Sequence, residues 1–165
     1  MRRKYRLLAI ISGLVVLCDQ VSKLYIEHAL PLHSAIEVVE NFFQIVHIRN
    51  TGVAFGILAA EDRFTLMPLF VAISLLAVGI VIYLYAKTSD ESLGNLFALA
   101  LILGGALGNL IDRVRLNEVI DFLDFHWYQL HWPAFNIADS CITVGVGLFI
   151  AMNLRQHEHT TAQSS

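Results

Sequence analysis

The chain has 165 residues, 56% of them hydrophobic and 15% charged, with a mean hydropathy of +0.63 and a formal net charge of −3 at pH 7. A water-soluble domain carries about 25% charged residues, so this composition calls for a solvent other than water. Its eleven Lys and Arg residues gather on no single basic face, which leaves nucleic-acid binding without support.

Four basic residues, Arg2, Arg3, Lys4 and Arg6, precede the first apolar stretch, Leu7 to Ile26. Basic residues followed by Leu17-Cys18 superficially look like a lipoprotein signal peptide. Such a cleavage site needs a small residue before the cysteine, and three further apolar stretches follow, so residues 7–26 are expected to remain as a first membrane helix. Asp19 and Lys23 lie toward its outer end, four residues apart and on one face.

Residues 36–39 and 42–48 are rich in β-branched and aromatic side chains, as strands are, and Asn50-Thr51-Gly52 is a turn signal. Residues 53–60 read as a short helix lying on the membrane surface. Residues 64–86 and 93–111 are charge-free and long enough to span. The third span ends at Asp112 and Arg113, and its Gly104, Gly105 and Gly108 form a small-residue face suited to close helix packing. Residues 118–125 are a further strand candidate, followed by Trp127, Tyr128 and Trp132, which suit an interfacial aromatic belt. Asp139 opens a fourth span, residues 137–155, and a polar tail over 157–165 is expected to be disordered.

The expected fold is therefore an all-α membrane protein with four transmembrane helices. A small β-sheet and a short surface helix, within about 33–60 and 118–125, are expected on the outer side. Residues 1–165 form one integral membrane domain. The basic N-terminus places both termini in the cytoplasm. Cys18 and Cys141 lie in apolar runs without zinc-ligand spacing and read as small core residues. His28, His33, His47, His126 and His131 read as surface groups of the outer segments.

Ionisable side chains at membrane depth default to a functional reading. Asp19, Lys23, Asp112, Arg113, Asp121 and Asp139 are expected at one level, with the amides of Asn50, Asn109 and Asn136. Asp19 with Lys23 also fits a purely structural ion pair, and Asn109 and Asn136 also fit helix-end capping. Two carboxyls sharing a site cannot both ionise comfortably, so one holds a proton while the other acts as a base toward water. Asp139 is the first choice for such a pair. Its partner is Asp112 or Asp121, and the apolar neighbours Ile120 and Phe122 favour Asp121, whereas Arg113 and Arg115 would keep Asp112 charged.

Five separated motifs resemble the lipoprotein signal peptidase family, also called signal peptidase II. They are Asp19-Gln20-Val21-Ser22-Lys23, Arg49 to Phe55, Gly104 to Arg113, Val119-Ile120-Asp121-Phe122 and Phe135 to Asp139. The resemblance implies Asp121 and Asp139 as catalytic dyad, with Asn50, Asn109, Arg113 and Asn136 lining the site and Asp19 and Lys23 holding it together. Asp112 then becomes a supporting residue, beside the close-packed Gly108. Val53 and Gly56 depart from the family pattern, which has Ala and Ser there, without touching the dyad.

The implied partners are a diacylglyceryl-modified prolipoprotein, cut on the N-terminal side of its lipidated cysteine, membrane lipid, and inhibitory cyclic peptide antibiotics such as globomycin. No metal or organic cofactor is implied. The implied location is the bacterial inner membrane, with the site near the outer leaflet. Rival readings are a small proton-coupled transporter, which needs polar groups along a path through the bilayer, and a structural membrane subunit, which tolerates amides in place of its carboxylates.

Overall fold

The structure, a computed structural model, describes residues 3–52 and 63–162. The surface helix expected over 53–60 lies outside the described residues. Four helices, α1 (Arg3–Ala29), α2 (Arg63–Lys87), α3 (Leu93–Leu116) and α4 (Ile137–Ala162), are long and apolar enough to cross a membrane. Four strands, β1 (Ala35–Val39), β2 (Phe43–Asn50), β3 (Val119–Trp127) and β4 (Leu130–His131), pair antiparallel in the order β1-β2-β3-β4.

The bundle has an apolar outer surface and two kinds of interior: an apolar half around Tyr85, Leu96 and Leu99, and a polar half near the sheet. Asp19 and Lys23 of α1 have no exposure at all, whereas Leu14, Leu17 and Val21 on its opposite face are each more than half exposed. In water the exposed apolar face would cost free energy and in a bilayer it does not, while the buried charges are offset by pairing with one another. α3 sits at the centre, packed against α1, α2 and α4. Gly104, Gly105 and Gly108 permit this approach: a β-carbon on Gly104 would lie 2.6 Å from Cβ of Val15, and one on Gly105 would strike the Ala138 carbonyl oxygen. At one end of the bundle Lys4 donates to Ala86 O at 3.2 Å and Thr88 O at 3.1 Å and pairs with Asp90 at 3.2 Å. These contacts fasten the start of α1 to the α2–α3 link.

The sheet closes the other end. Ile26, Ile120 and Phe122 form a buried cluster joined by Leu116 and Ile137, so β3 rests on the ends of α1, α3 and α4. Asn117, in the left-handed conformation with φ 58°, terminates α3 by donating its N–H to Arg113 O at 3.0 Å. That tight cap turns the chain into β3 almost at once.

Several expectations are corrected. α3 continues past Asp112 to Leu116, so Asp112 is an interior helical residue. α4 extends to Ala162, beyond its apolar span of Ile137–Arg155; residues 163–165 lie outside the described residues. Cys18 is exposed on the outer surface of α1 and Cys141 is half-buried, since the core-facing positions of these helices are taken by polar groups and small residues. His47 is buried at the β-bulge between Ile45 and Ile48 and bonds Leu30 O at 2.8 Å through Nδ1, so it is no surface group.

Candidate active site

Asp19 and Lys23 stand one helical turn apart on the inward stripe of α1, which also carries Ser12, Val15 and Ile26. The Lys23 ammonium has three protons, and they meet three acceptors at 2.9 Å: Asp19 Oδ2, Asp112 Oδ2 and Asn109 Oδ1. Asp19 Oδ1 accepts Ala138 N–H of α4 at 2.9 Å, and Asp112 Oδ2 accepts Ile120 N–H of β3 at 3.2 Å. Gln20 Nε2 adds contacts to Asp112 Oδ1 at 3.0 Å, Gly108 O at 3.1 Å and Asp19 Oδ2 at 3.2 Å. One buried cation thus joins α1 to α3, and its two carboxylates reach on to α4 and β3. Asp112 has both oxygens occupied here. Gly108 is required beneath this cluster, because a β-carbon there would lie 2.6 Å from Asp19 Oδ2.

Above the cluster lie three asparagines, and a fixed donor holds the carbonyl oxygen of each. Asn109 Oδ1 faces Lys23, which can only donate, so the amide nitrogen must point the other way, to Asp139 Oδ1 at 2.7 Å. Asn136 caps α4: its Oδ1 accepts Asp139 N–H at 2.9 Å, and its Nδ2 therefore faces Asp121 Oδ1 at 2.7 Å. Asn50 Oδ1 accepts Gly52 N–H at 2.8 Å in its own turn, and its Nδ2 reaches Asp121 Oδ2 at 2.9 Å. Gly52 has φ 83°, a conformation suited to glycine. The polarity of all three amides is imposed by chemistry that cannot be reversed, and each presents N–H to an aspartate.

The two aspartates so addressed differ in setting. Asp121 is 2% exposed. Burial pushes its carboxyl up from 3.8 to about 6, and the neighbouring Asp139 charge adds to the rise against the donors from Asn50 and Asn136 and the Lys23 charge. Asp139 is half-buried at the third position of α4, where the helix dipole favours a carboxylate. The Arg113 guanidinium lies within electrostatic reach of Asp139, Asp121 and Asp112, and its Nη1 donates to Ser74 Oγ of α2 at 3.2 Å. A buried carboxyl raised toward neutrality, beside a more open acidic side chain, is an arrangement that can serve general acid–base hydrolysis. Among the described residues no group of three or more His, Cys, Asp or Glu side chains could hold a metal ion. The centre between Asp19 and Asp112 is filled by Lys23.

Every candidate named from the sequence therefore falls in one polar layer: Asp19, Lys23, Asn50, Gly108, Asn109, Asp112, Arg113, Asp121, Asn136 and Asp139. Sequence reasoning missed two contributors. Gln20 adjoins Asp19, and only its long side chain bends it into the cluster. Ser74 lies in a charge-free helix, and its single hydroxyl gives no pattern to detect.

Comparison with known proteins extends this geometry. A family model described as signal peptidase (SPase) II matches residues 11–155. The lipoprotein signal peptidase of Syntrophotalea carbinolica is 48% identical over 152 residues, 92% of this chain and 93% of the relative. That of Geobacter sulfurreducens is 45% identical over 157 residues, 94% of this chain and 96% of the relative. The solved structure of a bacterial membrane enzyme, obtained by the in meso method at 2.3 Å resolution, superposes with a TM-score of 0.80 at 36% identity, covering 92% of this chain and 90% of that one.

Proposed function

This chain belongs to the signal peptidase II family, and from that membership we propose that it removes signal peptides from diacylglyceryl-modified prolipoproteins as an intramembrane aspartyl endopeptidase. The observation that carries this reading is the pair of aspartates at the start of α4 and on β3, each addressed by asparagine amides of imposed polarity. Asp121 and Asp139 are the dyad. Asn50, Asn109, Asn136 and Arg113 position the substrate backbone, and Asp19, Lys23 and Asp112 hold the frame.

In the proposed reaction Asp139 takes a proton from water as the water oxygen adds to the scissile carbonyl carbon. Asp121 gives its proton to the carbonyl oxygen, which yields a neutral gem-diol. Asp139 then returns its proton to the amide nitrogen of the lipidated cysteine. Asp121 recovers its own from one hydroxyl as the C–N bond breaks. The products are a signal peptide with a free carboxyl end and a lipoprotein with a free amine, and the dyad regains its starting protonation. The proton belongs to the pair, so the two titrations are coupled. Arg113 stabilises charge that develops on the carbonyl oxygen.

We place the enzyme in the bacterial inner membrane with both termini cytoplasmic and the site near the outer leaflet. The basic Arg3, Lys4 and Arg6 at the start of α1 support this orientation, and the exposed Trp127, Tyr128 and Trp132 suit a membrane–water interface at the other end. A cyclic peptide antibiotic such as globomycin would occupy the same site as the substrate backbone. A proton-relay transporter is not favoured. Ser12, the polar side chain of α1 between Arg6 and Cys18, donates to Ala100 O at 2.9 Å rather than to a titratable group.

The test is cleavage of a purified diacylglyceryl-prolipoprotein in detergent by the intact chain, Asp121→Asn, Asp139→Asn and Asp112→Asn, with folding checked for each. Asp121→Asn and Asp139→Asn should each lose on the order of 10³-fold or more in rate, and Asp112→Asn should retain partial activity. An inactive Asp112→Asn beside an active Asp121→Asn would move the dyad. Normal cleavage by all three would make the carboxylates structural.

A further inference from the structure

At the end of the bundle opposite the carboxylate cluster, a cleft of about 710 Å³ opens between the first turns of α1 and α3. The volume is in the range of small-molecule sites. Its walls are apolar: Leu7 and Ile10 from α1 face Leu93, Leu96 and Phe97 from α3. Arg3 and Arg6 lie on the same face of α1 as Leu7 and Ile10, the four occupying positions i, i+3, i+4 and i+7 of one stripe.

The charges around the mouth are unequal. Lys4 pairs with Asp90 at 3.2 Å and is otherwise taken by two backbone carbonyls, so those two groups offset each other. Arg3 and Arg6 face the single remaining carboxylate, Glu91, and neither makes an ion pair among the described residues. The N-terminus of α3 opens beside the same cleft, and its N-cap Ser92 supplies no side-chain cap. The positive end of that helix dipole therefore adds to the two guanidiniums.

An apolar slot at hydrocarbon depth with an excess of positive charge at headgroup depth has the pattern of an amphiphile bearing a negative head. We propose that this cleft binds one anionic phospholipid, with an acyl chain between α1 and α3 and the phosphate at Arg3 and Arg6. Basic pockets between membrane helices recognise acidic headgroups through this combination. The site is independent of the peptidase reading, since it shares no residue with the carboxylate cluster.

The experiment is native mass spectrometry of the full-length protein from detergent micelles containing phosphatidylglycerol or phosphatidylcholine at equal mole fraction. Intact protein should carry away one phosphatidylglycerol and should not hold phosphatidylcholine comparably. Arg3→Gln with Arg6→Gln should weaken retention by about thirtyfold, roughly fivefold per arginine. Ile10→Trp, which fills the slot and leaves every charge in place, should abolish retention; Ile10 is exposed, so this variant keeps the fold. Arg115→Gln, which removes a charge at the other end of the bundle, should change nothing. Equal retention of both lipids, equal loss with Arg115→Gln, or undiminished retention by Ile10→Trp would each overturn the proposal.

Discussion

Three asparagine side chains set the hydrogen-bonding polarity of the site. An amide can donate or accept, and its direction is settled by whichever neighbour cannot change role. Here those neighbours are the Lys23 ammonium and the N–H groups of Asp139 and Gly52. Their combined effect is to stabilise ionised carboxyl groups, while burial of Asp121 works against ionisation and wins. The sign for activity follows. Asp121 holds its proton below about pH 6 and loses it above. An enzyme that needs that proton should therefore show kcat/KM falling as pH rises through roughly 6, measured on a substrate whose own groups do not titrate there. A rate that instead climbs through this range would assign the acid to another group. Lys23 permits a second prediction. Lys23→Met leaves Asp19 and Asp112 buried without their cation, and thermal or denaturant unfolding in micelles should show a loss of about 3–5 kcal/mol. An unchanged transition would mean that the ion pair contributes nothing to the fold.

The elements are arranged so that their ends, rather than their middles, meet at the site. The C-terminal half of α1, the last turns of α3, the first turn of α4 and the start of β3 converge on the Lys23 cluster. Helix ends suit this task because they leave N–H and C=O groups that need partners. Asp19 meets that need for Ala138 N–H, and Asn136 meets it for Asp139 N–H. Convergence requires α3 to approach both neighbours closely, and the glycines supply the room. Gly108→Ala should cost about 1–3 kcal/mol, because Asp19 is held from two sides and cannot move away from the new methyl. Gly79→Ala and Gly147→Ala, where nothing lies within 4 Å of the added carbon, should be neutral or mildly stabilising in the same unfolding measurement. Equal costs at all three positions would show that helix propensity, not packing, governs these sites.

On the scale of the molecule, the polar layer is displaced toward one membrane face and roofed by the sheet. The opposite end is fastened by Lys4 and by Tyr85, whose hydroxyl donates to Lys4 O at 2.6 Å, beside the cleft between α1 and α3. This asymmetry makes orientation testable. In a chain with Cys18→Ala and Cys141→Ala, a membrane-impermeant maleimide applied to intact cells should label Leu130→Cys. It should reach Ser89→Cys only after the inner membrane is opened. The reverse pattern would place the carboxylates at the cytoplasmic leaflet and contradict the proposed access for an exported substrate.

The sequence by itself determined the number of spanning helices, the sheet between them and the set of residues that gather in the polar layer. Long charge-free runs can only be buried in hydrocarbon, and carboxylates interrupting such runs must find one another. Residues that sit at the ends of successive spans share a depth, which is why Asp19, Asn109, Asp112 and Asp139 are legible in the sequence. Only the tertiary structure decided how those groups divide. Asp112 and Asp121 stand close in sequence, yet Lys23, Gln20 and Ile120 N–H saturate the first, while the second faces Asn50 and Asn136. The burial of His47, the exposure of Cys18 and the parts played by Gln20 and Ser74 were likewise invisible, because each depends on which face of its element meets a neighbour. Hydropathy reports depth along the membrane normal, whereas partners are set by rotation about that normal, and rotation is fixed only when the helices pack.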